Sequence, residues 1–239
     1  MTKPFKFKQF SVHQNDCAMK IGTDGVLLGA WAPIDNDPYS VLDIGAGTGI
    51  LALMMAQRCQ AQVIDALEID DNAHAQCVDN FEQSPWSDRL FCYHASLEEF
   101  TEEIEDRYDL IICNPPFYAE DYKTQNLQRD LARFQDAMPF EHLLRSAATL
   151  LSKSGQFSVI IPFSEEQKFL KQAETLGLYP SHMTHVKGRE ATPVKRSLIR
   201  FSFSKRNVEF NELTIETERH KYTEEYIKLT QDFYLKMSH

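Results

Sequence analysis

The sequence predicts an α/β fold with a seven-stranded, mostly parallel sheet, an antiparallel last strand and helices on both faces. Three observations lead there. From residue 40 to 177, strand-like and helix-like segments alternate, the pattern of βαβ units whose sheet is covered on both sides. A glycine-rich turn joins the first strand of that series to its helix. After residue 178 the alternation stops and two strand-like segments follow one another with no helix between them, so they should pair antiparallel.

The elements read in order. "SVLDIG" (40–45) is an apolar run ending in glycine, and "TGILALMMAQR" is its helix. "QVIDALEI" (62–69) is the second strand, followed by the helix "DNAHAQCVDNFEQ", with Asp70 placed to cap it. "RLFCYH" (89–94) is the third, and Ser96 with Glu99 forms a capping box opening the next helix. "YDLIIC" (108–113) is the fourth. Phe140, Leu143, Leu144, Ala147, Ala148 and Leu151 then fall on one face of a helix. "GQFSVIIP" (155–162) is the fifth strand, and "SEEQKFLKQAETLG" a helix closed by Gly177. "LYPSHMTHV" and "RSLIRFSFS" complete the seven, and Tyr222, Tyr226, Leu229 and Phe233 mark an amphipathic helix in the tail. No linker interrupts the chain. One domain over 1–239 is expected, with an N-terminal arm (1–38), a core (39–205) and an extension (206–239).

Composition narrows the function classes. The 239 residues are 43% hydrophobic and 25% charged, ordinary for a globular protein. The longest apolar run, Val26–Pro33, is far shorter than the ~20 residues of a membrane span, and the N-terminus lacks the apolar stretch of a secretory signal. Five cysteines without a CxxC pair argue against zinc and disulfide frameworks and for free thiols in a cytoplasmic protein. Net charge is −10, yet residues 185–206 carry seven Lys and Arg against one Glu. A basic patch on an acidic body suits one particular polyanion. Lys187, Arg189, Lys195 and Arg196 are the candidate phosphate contacts there.

"LDIGAGTGI" sets Asp43 before Gly45, Gly47 and Gly49 at a strand–helix junction. The spacing is G-x-G-x-G, with Ile50 where a dinucleotide fingerprint needs its third glycine. Asp43 would repel a diphosphate but can accept from an ammonium. A ligand without phosphates, such as S-adenosylmethionine, fits both features. Glu68, at the end of the second strand, suits the two hydroxyls of a ribose. At the end of the fourth strand stands "NPPF". Pro115 and Pro116 fix φ and remove backbone donors, leaving the Asn114 amide oxygen and the Pro115 carbonyl as acceptors for a planar –NH₂ group, with Phe117 to stack on a ring.

These residues resemble the class I S-adenosylmethionine methyltransferases of the amino type, over about residues 20–205, and imply their Rossmann-like fold. The likeness assigns Asp43, Gly45, Gly47, Gly49 and Glu68 to the cofactor, and Asn114, Pro115 and Phe117 to the target amine, with Asn114 also beside the cofactor. "QNDCAMKIGTDGVLLGAWA" (14–32), "NPPFY" and "RDLARFQDAMPFEHLL" look like the bacterial tRNA(Val) N6-methyladenine enzymes, which act on adenine 37. That resemblance implies a tRNA partner, makes 1–38 the arm and cofactor-lid segment and 39–205 the catalytic core, and adds Thr23 and Asp24 to the cofactor set; an N-cap and Asp-Gly turn before a short helix is the other reading of those two. Where relatives carry Asp after the third strand to hold the cofactor's adenine amine, this chain has Ser96, which the resemblance adds to the cofactor set. The insert 118–138 carries Lys123, Arg129 and Arg133, candidates for contact with RNA. Other planar amines remain open as targets (rRNA guanine N2, DNA adenine N6, protein glutamine), as does a non-catalytic RNA-binding module. No metal, membrane or obligate protein partner is expected.

Overall fold

The computed structural model describes residues 3–15, 17, 20–116 and 138–237. Phe117, Lys123, Arg129 and Arg133 lie outside them. The arm contributes the short pair β1 (Phe5–Lys6) and β2 (Ser11–Val12), followed by α1 (Thr23–Trp31). Next come β3 (Ser40–Ile44), α2 (Ile50–Arg58), β4 (Val63–Glu68), α3 (Asp71–Glu82), β5 (Leu90–His94), α4 (Leu97–Glu103) and β6 (Tyr108–Cys113). After the insert follow α5 (Phe140–Leu150), β7 (Leu151–Pro162), α6 (Glu166–Thr175), β8 (Tyr179–Lys187) and β9 (Val194–Ser202). The tail holds β10 (Glu209–Thr214), the small pair β11 (Glu216–Glu218) and β12 (Lys221–Tyr222), and α7 (Glu224–Thr230).

The main sheet runs β10-β8-β9-β7-β6-β3-β4-β5. It has eight strands, one more than expected. The added strand, β10, lies parallel to β8 at the edge, and only Leu213 of it is buried, so it carries none of the alternation that marks a half-buried strand. The antiparallel strand is β9, which pairs with both β7 and β8; it is not the last, because β10 follows it. Leu151 also departs from expectation. Its N–H still bonds to Ala147 O, but the residue opens β7 instead of ending the helix.

Two cores cover the two faces. Val41, Ile64, Leu110 and Ile112 face α1, α2, α3 and α7, while Leu42, Ile44, Ile111 and Cys113 face α4, α5 and α6. Burying a side chain such as Phe157 or Leu42 contributes about 1.5–3 kcal/mol. The local signals hold where they are chemical. Asp70 accepts from Asn72 N and Ala73 N, and Ser96 and Glu99 bond reciprocally. By contrast, α1 is capped by Gly22 with no side-chain bond, so neither Thr23 nor Asp24 serves as its cap.

Gly49, the N-cap of α2, sits at φ +77, and a Cβ there would come within 2.5 Å of Phe81 Cε1 and 2.8 Å of Cys77 Sγ. Gly49→Ala should cost roughly 2–5 kcal/mol in urea unfolding, from left-handed strain plus overpacking. An unchanged midpoint would contradict this packing of α2 on α3.

Candidate functional site

The carboxyl edge of the sheet is set by pairing. Ile44 of β3 lies opposite Leu67 of β4 and Cys113 of β6. The next residues along those three chains are Gly45, Glu68 and Asn114, so the register alone brings the glycine turn, the acid and the amide to one level. The chain reverses direction across the sheet between β3 and β6, where open α/β sheets bind their ligands.

Glu68 organises this edge. Its Oε2 accepts from Gly47 N at 2.7 Å, and its Oε1 accepts from Ile69 N at 2.8 Å and Asp70 N at 2.9 Å. One carboxylate thus ties the glycine turn to the end of β4, and Oε2 keeps acceptor capacity for a further donor. Gly45 and Gly47 have φ of +72 and +56, and a Cβ on either would meet nothing within 4 Å. Space for a ligand lies over both.

Asp43 is fully buried. Its Oδ2 accepts from Ala52 N at 3.1 Å, and its Oδ1 has no hydrogen-bond partner. Burial pushes its carboxyl up from 3.8 to about 7; the Ala52 N–H opposes that rise, and the negative charge of Glu68 adds to it. A buried acceptor left without a donor is costly, and Asp43 lies two residues before Gly45 in the chain.

A cavity of about 640 Å³ extends from this edge. Gly45, Glu68 and Ile69 line one side, with Ala95 and Ser96 beyond β5, and His142 and Arg145 of α5 stand opposite. Ile69 is 67% exposed, an apolar surface for a flat ring. Sequence reasoning missed Ile69, His142 and Arg145. The first could have been found as an apolar residue just past an acidic strand end; the other two depend on how α5 packs. Ser96 reaches the cavity wall, but its hydroxyl donates to Glu99 Oε2 at 2.7 Å.

Asn114 is half-buried, Pro115 is buried, and no hydrogen bond ties the Asn114 side chain to another described residue. A Cβ on Gly25 of α1 would lie 4.0 Å from Asn114 Nδ2. The first turn of α1 therefore walls the amide. Thr23 lines a separate groove toward β8, and Asp24 Oδ2 accepts from Arg196 Nε at 2.8 Å. Neither is brought to the cavity at Glu68. Of the four phosphate candidates, Lys187 pairs with Glu212 at 2.9 Å, Arg189 with Glu216 at 3.4 Å and Arg196 with Asp24, while Lys195 is exposed. Among the described residues no cluster of three metal-ligating side chains occurs, and no helix is long and apolar enough to cross a membrane.

The family model for the methyltransferase small domain matches residues 30–179. A protein of Flavobacterium psychrophilum named tRNA1(Val) (adenine(37)-N6)-methyltransferase is 64% identical over 98% of this chain and 100% of its own length. A protein of Bacteroides fragilis with the same name is 45% identical over 99% of this chain and all of its own. Among solved structures, a predicted O-methyltransferase from Agrobacterium tumefaciens superposes with a TM-score of 0.68 at 18% identity, covering 88% of this chain and 96% of that one; at that identity the likeness is one of fold.

The raised Asp43 carboxyl has a stability consequence. Its ionised form is disfavoured in the fold, so its contribution declines as pH rises from 3.8 to about 7 and is level above that. Asp43→Asn should therefore stabilise the ligand-free protein by an amount that grows across that window and then plateaus, read by denaturant unfolding at several pH values. A pH-independent difference would contradict the burial argument.

Proposed function

Since the chain belongs to the methyltransferase small-domain family and, within it, to the tRNA1(Val) (adenine(37)-N6)-methyltransferases, we propose that it transfers the methyl group of S-adenosylmethionine to N6 of adenine 37 in tRNA1(Val). The observation that carries the chemistry is the common level of Gly45, Glu68 and Asn114 at the sheet edge. The target comes from the relatives. A tRNA substrate and five cysteines without a CxxC pair suit the cytoplasm.

The residues fit the cofactor. The unpartnered Asp43 Oδ1 calls for a donor, and the cofactor's methionine ammonium is one. Gly45 and Gly47 leave their Cβ positions open for its chain. Glu68 Oε2 can accept from a ribose hydroxyl while holding Gly47 N, and Ile69 offers the adenine ring an apolar face. When bound, S-adenosylmethionine supplies a methyl group on a positively charged sulfur, an electrophile.

The chain's own task is to make an unreactive amine attack. The N6 lone pair of adenine is delocalised into the ring. The Asn114 amide oxygen and the Pro115 carbonyl accept the two N6 hydrogens, favour a tetrahedral nitrogen, and stabilise the positive charge that builds there as the new C–N bond forms. The proton leaves the nitrogen after transfer, so no strong base is needed. Pro115 and Pro116 keep competing N–H donors out of the corner, and Phe117 is assigned the stacking face.

The direct test supplies purified protein with unmodified tRNA1(Val) and S-adenosylmethionine labelled in the methyl group, followed by nucleoside mass spectrometry. N6-methyladenosine at position 37 is expected; label in another nucleoside, or none, would contradict the reading. Asn114→Ala should lower kcat by roughly 10²–10³-fold with cofactor affinity unchanged, and a near-normal rate would remove its role.

Glu68 separates binding from chemistry. Glu68→Ala should weaken cofactor binding by on the order of ten- to a hundredfold, as hydrogen bonds to a charged group are lost. Glu68→Gln should be nearly as damaging, because its –NH₂ must face either Gly47 N–H or the Ile69 and Asp70 N–H groups. Calorimetric titration checks both variants; full affinity in Glu68→Gln would show that the backbone network does not hold the turn.

A further inference from the structure

A second groove, of about 850 Å³, opens at the same end of the sheet on the side away from Glu68. Phe5, Lys6, Thr23, Arg189, Tyr222 and Lys236 are among its walls. Topology places it there. Lys187 ends β8 opposite Val194 of β9 and Thr214 of β10, so the β8–β9 hairpin and the tail both leave the sheet at the edge that carries Asn114. Ile215 N donates to Lys187 O at 3.0 Å and Glu216 N to Gly188 O at 2.9 Å, which fixes the tail to the hairpin. Thr23 belongs to the first turn of α1, and Gly25, two residues on, faces the Asn114 amide. Groove and amide thus share one turn of helix.

The lining has a definite chemistry. The Tyr222 ring is 37% exposed and lies 5.2 Å from that of Tyr226, tilted by 36°. Tyr226 is 3% exposed, so the exposed ring rests on a buried one. Three cations, Lys6, Arg189 and Lys236, line the groove against one carboxylate, Glu216. That carboxylate is engaged by Arg189 at 3.4 Å and by His220 N at 3.2 Å. Lys6 and Lys236 are exposed and, among the described residues, in no ion pair. On a chain of net charge −10, this local excess of positive charge beside an aromatic face matches single-stranded nucleic acid. An apolar ligand would gain nothing from the lysines.

We propose that this groove holds the nucleotide adjoining the target adenine in the same RNA loop, its base stacked on Tyr222 and its phosphates facing Lys6 and Lys236. The proposal rests on the reading that the substrate is tRNA, and it adds a subsite that fixes which base reaches Asn114.

The test uses the full chain and a synthetic anticodon stem–loop with unmodified adenine 37, together with two versions abasic on either side of that adenine. Binding of the fluorescein-labelled stem–loop is read by anisotropy, and methyl transfer is read separately. Tyr222→Ala should weaken binding and raise KM for the RNA by roughly tenfold, the worth of one base stack, with KM for the cofactor unmoved, and Tyr222→Phe should restore the wild-type value. One abasic stem–loop should show the same loss on the wild-type protein and no further loss on Tyr222→Ala. Lys6→Gln with Lys236→Gln should reduce the slope of log Kd against log salt by about 1.4, at roughly 0.7 per phosphate contact.

Unchanged RNA binding in Tyr222→Ala, losses that add between that variant and both abasic RNAs, or an unchanged salt slope would overturn the proposal. Absence of methyl transfer by the wild-type protein would instead count against the functional reading, and the anisotropy result would still decide the groove.

Discussion

The site depends on the parallel register of β3 with its two neighbours. Ile44 stands opposite Leu67 and Cys113, and everything proposed for the carboxyl edge follows from what comes one residue later. That register is strongly held because both faces of the sheet are buried. Val41 and Leu42 point into different cores, and a one-residue slip of β4 or β6 would exchange every side chain between them. Such a slip would also move Glu68 or Asn114 off the level of Gly45. The apolar packing that stabilises the fold is therefore also what aligns the chemistry.

Around that level one polar group is left uncompensated, a cost that the cores offset, and another is fully engaged. Asp43 keeps a buried oxygen without a donor, and Glu68 spends both its oxygens on backbone amides. The first is a standing demand for a cation or a hydroxyl. The second makes the glycine turn rigid before any ligand arrives, so little order remains to be imposed on binding. The same edge continues past β9 to β8 and β10, where the tail meets the β8–β9 hairpin and also bonds to the arm. One side of the edge thus suits a small cofactor, the other suits a chain of nucleotides, and Asn114 lies between them.

Much of this was legible in the residues because it is local. The glycine turn, the capping box at Ser96 and Glu99, the Asp70 cap and the seven apolar strands each carry their own signal over a few positions. What was not legible depends on partners distant in sequence. β10 is a strand only because β8 offers it an edge; its own residues are mostly exposed and polar. Leu151 has helical spacing but starts β7 beside Tyr108. The basic run 185–206 shows its cations but not their partners, because Glu212, Glu216 and Asp24, which engage Lys187, Arg189 and Arg196, lie outside it. The aromatic groove had no sequence signature at all, since Phe5, Tyr222 and Tyr234 come from opposite ends of the chain.

The central claim is that the register of β3, β4 and β6 delivers a cofactor pocket and an amine-holding corner to one edge. A crystal structure of the protein with S-adenosylhomocysteine and the anticodon stem–loop tests it most directly. The account predicts the ribose at Glu68 and the N6 of the target adenine within about 3 Å of the Asn114 amide oxygen, hydrogen-bond distance. A target base seated elsewhere, with Asn114 turned away from the cofactor's sulfur, would contradict it.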